Sequence, residues 1–338
     1  MKAYRFDDFE TLEHLRLHEE PNVPPQRGEL LVRVHAVSLN YRDIAMLTGR
    51  YPRAYKKGLI PTSDGAGEVV AVGEGVEAFK VGDRVIGAFH PRWFGGPMHE
   101  SMGREAYGDQ QDGWLTETKV VSQEAVVKIP RELSYTEAST LPCAGLTAWT
   151  ALGGAVPIRA GHTVLVQGTG GVSIFALQLA RVVGARVIAT TSSASKEKRL
   201  RDLGASDVVN YVEAPEWGKA VRAIAGGRGV DRVVEVGGPG TIGQSLRAVA
   251  VGGEIASIGF LSESNAGIDF FSLKLSGALF RNVAVGDRAG LQELVRVVQG
   301  TGLRPVIDRE FGFAQAREAF AYLRSGAHFG KVVVRVAS

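Results

Sequence analysis

The sequence is poor in the features that would place it outside a reducing compartment. It has a single cysteine, Cys143, so an internal disulfide is impossible. It has no apolar run long enough to span a bilayer, and its first ten residues, MKAYRFDDFE, lack the apolar core of a signal peptide. We therefore expect a cytoplasmic protein that has no membrane-spanning helix.

The sequence also lacks a large excess of either sign of charge. The chain carries 39 Lys and Arg against 36 Asp and Glu, a net charge of +3, and the basic residues are scattered. A nucleic-acid or anionic-membrane partner needs a larger and more clustered positive charge. This balance favours a protein that acts on a small molecule, with neither nucleic acid nor membrane as a partner.

Glycine, by contrast, is abundant, with 43 residues in a chain of 338. Many glycines indicate many tight turns, and the length allows two domains of ordinary size. Over 1–127 the sequence alternates short β-type runs with Gly and Pro turns, which is typical of a compact, mostly antiparallel domain. A long polar and aromatic loop, 90–113, interrupts it, and we expect this loop to determine substrate specificity or to contact another subunit.

The segment 163–211 has the pattern of a nucleotide-binding unit. A buried-type strand, 163–167, is followed by a glycine-rich turn, a helix and a second strand, 186–191. In such a turn the backbone approaches a pyrophosphate and the first amides of the helix point at its oxygens. Ser173 occupies the third glycine position of the motif. The predicted phosphate-binding residues are Gly168, Thr169, Gly170, Gly171 and Val172.

Strands and helices continue to alternate after this unit, which predicts an α/β fold with a doubly wound parallel sheet. Upstream, the capping box that begins at Ser134 predicts one long helix through Trp149 and Leu152.

Several motifs together resemble the medium-chain dehydrogenase/reductase superfamily, in particular its zinc-free, quinone oxidoreductase-like branch. They are AVSLNYRD at 36–43, DGAGEV at 64–69, VGDRV at 81–85, LTAW at 146–149, the glycine turn, and HFGK at 328–331. The resemblance implies a GroES-like, mostly β substrate domain over 1–127, completed by 303–338, and a Rossmann domain over 128–302. It also implies a homodimer joined through the sheet edge near 279–285.

The resemblance is also informative where the chain departs from the zinc-dependent branch. Asn40 stands where those relatives have a catalytic cysteine, Ser63 and Asp64 stand where they have a His-Glu pair, and Cys143 is offset by one position. Catalytic zinc needs about three protein ligands in one place. We therefore expect no metal, with His90, His99 and Asp109 as a lesser alternative metal-binding set.

The cofactor prediction depends on the end of the second strand. An acidic side chain there selects NAD, and this chain has Ser192 and Ser193 instead, followed by Lys196 and Arg199. Hydroxyls and a cation suit a 2′-phosphate, although basic residues on helices more often only face solvent. The resemblance adds Tyr211, and NADPH is the predicted cofactor. The resemblance further implies cofactor contacts at Thr147, Gly259, Phe260, Phe329 and Lys331. Gly237, at the end of a predicted strand, fits the same crevice outside the strand ends.

For catalysis, the resemblance implies that Asn40 lies by the nicotinamide. We expect Asn40 and Tyr41 to polarise the acceptor oxygen, with Asp43 behind them. Each also has a purely structural interpretation: Asn40 closes a turn, Tyr41 packs, and Asp43 caps the next helix.

Without a Lewis acid, a quinone or an α,β-unsaturated carbonyl is an easier hydride acceptor than a simple ketone. The leading hypothesis is such a reductase. The alternatives are an alcohol dehydrogenase or carbonyl reductase with a proton relay through Tyr41 or His90, and a non-catalytic NADPH-binding protein.

Overall fold

The computed structural model describes residues 1–51, 56–100, 105–262, 264 and 267–337, and it divides the chain into two compact units. Unit 1 comprises Met1–Leu146 and Gly286–Ser338, and unit 2 comprises Thr147–Val285. The strands are β1 (Lys2–Phe6), β2 (Leu15–Glu19), β3 (Glu29–Leu39), β4 (Asp64–Val72), β5 (Arg84–Gly87), β6 (Thr118–Ser122), β7 (Val126–Lys128), β8 (Thr163–Gln167), β9 (Arg186–Thr191), β10 (Asp207–Asn210), β11 (Val230–Glu235), β12 (Val249–Ser257), β13 (Leu279–Asn282), β14 (Ile307–Gly312) and β15 (Lys331–Arg335). The α-helices are α1 (Tyr41–Leu47), α2 (Tyr135–Ala138), α3 (Leu146–Gly153), α4 (Gly171–Val182), α5 (Ala194–Asp202), α6 (Trp217–Ile224), α7 (Ile242–Ala248), α8 (Phe270–Ser276), α9 (Arg288–Thr301) and α10 (Ala316–Arg324).

Unit 1 is built on a sheet in the order β14-β15-β3-β4-β5-β7, with β6 also paired to β3, and β1 pairs with β2 separately. The described pairings are antiparallel except for β14 with β15, which confirms the predicted mostly antiparallel β domain. The ring of Trp114 lies against Gly65 and Gly87, where an added Cβ would come within 2.4 and 2.2 Å of it. These two glycines therefore let the largest buried side chain pack directly on the sheet.

Unit 2 has a six-stranded sheet in the order β10-β9-β8-β11-β12-β13, and every pairing in it is parallel. Numbered within the sheet, this is the order 3-2-1-4-5-6 of a doubly wound nucleotide-binding fold. The prediction of a doubly wound parallel sheet is thus confirmed. Its apolar core includes Leu165, Ile188, Val233 and Ile255, one residue from each of four neighbouring strands.

The predicted long helix after Ser134 was wrong. The capping box forms, with Glu137 N donating to Ser134 Oγ over 3.2 Å, but α2 ends at Ala138. A π-helical turn, Leu141–Gly145, then separates α2 from α3. Pro142 lies in that turn and has no N–H to donate, so a continuous α-helix is broken there.

The domain boundaries remain a prediction. The compact units place 128–146 and 286–302 with the first domain, whereas the sequence assigned both stretches to the second. Among the helices of the described residues, none is both long enough and apolar enough to cross a membrane.

Candidate functional site

In unit 1, strand register gathers polar residues from three distant segments at one edge of the sheet. β3 ends at Leu39, which pairs with Val332 of β15, and its Ser38 pairs with Asp64 at the start of β4. Because both neighbours run antiparallel to β3, they begin where β3 ends. Asn40 therefore meets Asp64 and Lys331, which are 24 and 291 residues away along the chain. We call Asn40, Asp43, Asp64, Cys143 and Lys331 the Asn40 cluster.

The amide of Asn40 is oriented by charges on its two sides. Its Nδ2 donates to Asp64 Oδ2 over 3.0 Å, and its Oδ1 accepts from Lys331 Nζ over 2.5 Å. Lys331 Nζ also donates to the carbonyl of Leu39 over 2.6 Å. The carbonyl thus faces the ammonium and the NH₂ faces the carboxylate, so the flipped amide is disfavoured. An amide has two N–H donors, and Asp64 takes one of them.

Asp43 supports the cluster from the first turn of α1. It is fully buried, and its Oδ2 accepts from the backbone N–H of Asn40 over 2.8 Å, which closes the turn into the helix. Burial raises the pKa of Asp43 to about 6, against the pull of the Arg42 charge. Tyr41 is half-buried at the start of the same helix. Asn40 and Asp43 therefore have the structural roles considered above, in closing the turn and capping the helix. These roles are compatible with a functional role for the same residues.

Burial also shifts the charged groups of the cluster. It raises the pKa of Asp64, which the Lys331 charge and bonds from Asn40 and Ser63 oppose. It lowers the pKa of Lys331, which the Asp64 charge opposes. Burial, with the Asp64 charge, raises the pKa of the Cys143 thiol, so this cysteine is a poor nucleophile.

The loop 90–113 is tied to this region by a buried ion pair. Arg42 Nη2 lies 3.1 Å from Asp109 Oδ2, and its Nη1 donates to the carbonyl of Tyr107 over 2.8 Å. His90 Nδ1 is hydrogen-bonded to the carbonyl of Glu105 over 3.0 Å. In the part of the chain that the structure describes, no group of three His, Cys, Asp or Glu side chains is arranged to hold a metal ion. Residues 101–104 of this loop lie outside the described residues.

Backbone strain marks the entry to β4. Thr62 has φ of 69° and is fully buried, a conformation that is unusual for a β-branched residue. An added Cβ at Gly113 would lie 2.2 Å from the carbonyl oxygen of Thr62, and one at Gly108 would lie 2.7 Å from its carbonyl carbon. The glycines of the loop thus pack directly on the strained residue that precedes Ser63 and Asp64.

In unit 2, the predicted glycine turn follows β8 and begins α4. Gly168 has φ of 69°, and Gly170 is the N-cap of the helix. An added Cβ at either glycine would meet no described atom within 4 Å, so the backbone borders open space. The first amides of a helix lack acceptors within it. Thr169, Gly171 and Val172 complete a turn that fits a pyrophosphate.

The predicted 2′-phosphate residues lie together at the carboxyl ends of β9 and β10. Ser193 is the N-cap of α5, Ser192 is exposed beside it, and Lys196 is half-buried in the first turn. The backbone N–H of Tyr211 donates to the carbonyl of Thr191 over 3.0 Å, which brings the end of β10 to the same place. These residues fit a dianionic group.

A buried network at the ends of β8 and β11 escaped the sequence analysis. The Glu235 carboxylate accepts from the amides of Gly237 and Gly238 over 2.8 and 3.0 Å, and from Gln167 Nε2 over 2.7 Å. The Ser245 hydroxyl donates to it as well. Because the partners of Glu235 are distant in sequence, no local pattern predicts this network. The one available signal was a glutamate at the end of an apolar strand.

Four predicted residues lie at these strand ends or contact them: Ser173, Gly237, Gly259 and Phe260. Ser173 Oγ donates to the carbonyl of Gln167 over 2.6 Å, so the serine in the third glycine position ties α4 to β8. Gly259 approaches β11 so closely that a Cβ would lie 2.2 Å from the carbonyl oxygen of Val236. Gly237 and Phe260 adjoin this contact in sequence, at the carboxyl ends of β11 and β12.

The other predicted cofactor residues are buried within their own units. Thr147 lies in α3 of unit 2. In unit 1, Lys331 is the first residue of β15 and Phe329 lies two residues before it. Lys331 is directed at the Asn40 amide. A role for it toward the cofactor stays a prediction.

Two family models match the chain. One, described as an alcohol dehydrogenase GroES-like domain, matches residues 26–131, and the other, a zinc-binding dehydrogenase, matches residues 171–300. The first match confirms the predicted GroES-like fold.

Individual proteins match over nearly the whole chain. A zinc-type alcohol dehydrogenase-like protein of Schizosaccharomyces pombe is 38% identical over 94% of both chains. The acryloyl-coenzyme A reductase of Metallosphaera sedula is 29% identical over 94% of this chain and 95% of its own. The crystal structure of an NAD-dependent alcohol dehydrogenase superposes with a TM-score of 0.91 at 31% identity, covering 100% of both chains.

Proposed function

The chain belongs to the medium-chain dehydrogenase/reductase superfamily, and from this premise we propose that it is an NADPH-dependent, zinc-independent oxidoreductase that transfers hydride to a quinone or an α,β-unsaturated carbonyl compound. The observation that carries the proposal is the Asn40 amide held between Asp64 and Lys331. Among the relatives, the acryloyl-coenzyme A reductase bears the name of an α,β-unsaturated substrate.

Zinc independence rests on the charge of the Asn40 cluster. Asn40 Oδ1 already accepts from the Lys331 ammonium, and Asp64 accepts from Asn40, Ser63 and the Cys143 amide. A divalent cation at this place would face the Lys331 ammonium, which has the same sign of charge. The lysine thus supplies the positive charge that a metal supplies elsewhere.

The proposed mechanism uses these residues to bind and polarise the acceptor. When bound, NADPH supplies the hydride. The second amide hydrogen of Asn40 donates to the acceptor oxygen and stabilises the negative charge that develops there. Asp64 and Lys331 keep the amide in this orientation, and Tyr41 is the proposed proton donor. A conjugated acceptor delocalises the charge, so one neutral donor suffices.

An assay panel tests the substrate class. Wild-type protein with NADPH should turn over quinones and enals, and Asn40→Ala should lower kcat by about 10²–10³-fold. Metal analysis of the same preparation should find no stoichiometric zinc. Turnover of saturated ketones alone would establish the carbonyl reductase alternative, which the likeness to the NAD-dependent alcohol dehydrogenase favours. Tight NADPH binding without turnover of any compound would indicate the non-catalytic alternative.

The cofactor preference has its own test on α5. Lys196→Ala should weaken NADPH binding about tenfold or more and leave NADH binding unchanged, because a charge-assisted bond to the 2′-phosphate is lost. The matched control is Lys198→Ala, an exposed lysine of the same helix that pairs with Asp202 over 2.8 Å. Equal wild-type affinities for NADPH and NADH, with no effect of Lys196→Ala, would overturn the preference.

We propose further that the protein is a cytoplasmic homodimer joined at the β13 edge of unit 2. Large apolar side chains are exposed on α8 and β13, where solvent contact is unfavourable. They are Phe270, Phe271, Leu275 and Leu279, at 66%, 67%, 79% and 46% exposure. Light scattering should give a dimer for the wild type and a monomer for Leu279→Lys. A monomeric wild type would disprove this assembly.

A further inference from the structure

A cavity of about 380 Å³ opens in unit 1 beside β6. None of its lining residues belongs to the Asn40 cluster. Its walls include the aromatic and aliphatic side chains of Phe94, Tyr107 and Val121. Its charged lining residues are Glu29, Arg92, Asp112 and Lys119. Its volume lies within the range of about 300–1,000 Å³ that is usual for small-molecule sites.

Lys119 is the unusual member of this lining. Its Nζ lies 4.5 Å from the ring centroid of Tyr107 and 5.6 Å from that of Trp114. The amine donates to the backbone carbonyl of Asp112 over 2.6 Å. A lysine on a strand ordinarily extends its amine into water, whereas this one is packed under two rings beside a cavity.

The surroundings of Lys119 favour its uncharged form. Burial lowers the pKa of Lys119 to about 7, and the charges of Lys56 and Arg5 act in the same direction, while that of Asp112 opposes them. The two ring faces attract an ammonium, but the loss of hydration is the larger effect. A desolvated lysine amine in such a place is a nucleophile at neutral pH.

We propose that Lys119 and this cavity form a second site in unit 1, which captures a small aromatic aldehyde as an imine on Nζ. An aldehyde is the least hindered carbonyl for a partly enclosed amine, and the aromatic side chains of Phe94 and Tyr107 line the cavity that would hold an aromatic body.

The step balances without an oxidant or a reductant. The Nζ lone pair forms a bond to the carbonyl carbon, the C=O π bond breaks onto oxygen, and one N–H proton passes to that oxygen, giving a carbinolamine. The hydroxyl of the carbinolamine takes up a proton and leaves as water, and the nitrogen gives up its remaining proton. Glu29 and Asp112 both line the cavity, and they are the carboxyl groups available to exchange these protons.

Reductive trapping tests the proposal. The full-length protein, without nucleotide, is treated with benzaldehyde and cyanoborohydride at pH 7.5, and labelled lysines are identified by peptide mass mapping. Lys119 should be labelled roughly 10–100-fold faster than Lys57, which is exposed, because a much larger fraction of it is uncharged. Its rate should rise between about pH 6 and 8, in step with its pKa of about 7.

The controls separate the site from general amine chemistry. Lys119→Arg keeps a long basic side chain under the rings but has no primary amine, so it should lose only this label, while Lys57 is labelled as before. Labelling of Lys119 no faster than that of Lys57, or labelling of it only after denaturation in urea, would overturn the proposal. The labelling is read on the wild type, so an unstable variant does not obscure the result.

Discussion

The two units place their polar sites by different means. In unit 2 the proposed phosphate cradle consists of backbone amides that follow one strand, and a local run of glycines forms it. In unit 1 the Asn40 cluster consists of side chains from five places along the chain: the end of β3, α1, the start of β4, the π-helical turn and the start of β15. The first kind of site depends on conformation and the second on compensated charge. They should therefore respond differently to substitution.

The largest effect is expected from removing the buried cation of unit 1. Lys331→Met leaves Asp64 uncompensated and removes the donor to Asn40 and Leu39, at a cost of about 3–5 kcal/mol in the free energy of unfolding. Urea denaturation measures the loss.

The double variant Lys331→Met/Asp64→Asn is its control. It removes both charges and should recover a large part of the stability lost. A single-variant loss below about 1 kcal/mol would show that charge does not hold the Asn40 cluster together.

The second prediction concerns pH and Asp43. With a folded-state pKa of about 6 against 3.8 for the ordinary group, the folded protein binds the extra proton between these values. Stability should therefore fall as pH rises through this window, by about 3 kcal/mol. Asp43→Asn keeps an acceptor for the backbone N–H of Asn40 and should remove this fall in stability.

Unfolding free energies of wild type and Asp43→Asn are to be compared at pH 4 and 7, so that other titrating groups cancel. Parallel pH profiles would mean that the pKa of Asp43 is the same in the folded and unfolded states, which would overturn this prediction.

The smallest effect on stability is expected at the glycine turn. Gly168→Ala places a Cβ on a residue with φ of 69° and should cost roughly 1–2 kcal/mol through conformation alone, because no described atom lies within 4 Å. Gly170→Ala, with φ of −74°, should leave stability almost unchanged.

If the turn holds a pyrophosphate, Gly170→Ala should still weaken NADPH binding, because its Cβ fills the open cradle. Calorimetry and urea denaturation of the pair separate the two effects. Equal losses of stability would show that the turn conformation is not what distinguishes these glycines.

The sequence predicted the nucleotide-binding unit well for a physical reason. Its strand, turn and helix are consecutive in the chain, and α4 connects two strands, β8 and β9, that are neighbours in the sheet. The sequence placed Ser173 at the third glycine position of the motif, but it did not predict the hydrogen bond from Ser173 to Gln167. The break at Pro142 was missed because an apolar periodicity continues through it.

The sequence by itself determined the fold class, the glycine turn and the missing acid after β9, because each depends on neighbouring residues. Only the tertiary structure decided what surrounds Asn40. Lys331 reaches it from the last strand, across 291 residues, because β15 pairs with β3. The network of Glu235, Gln167 and Ser245 likewise joins residues 68 and 10 positions apart. Strand register, which no local pattern encodes, turned a single asparagine into a charge-oriented donor.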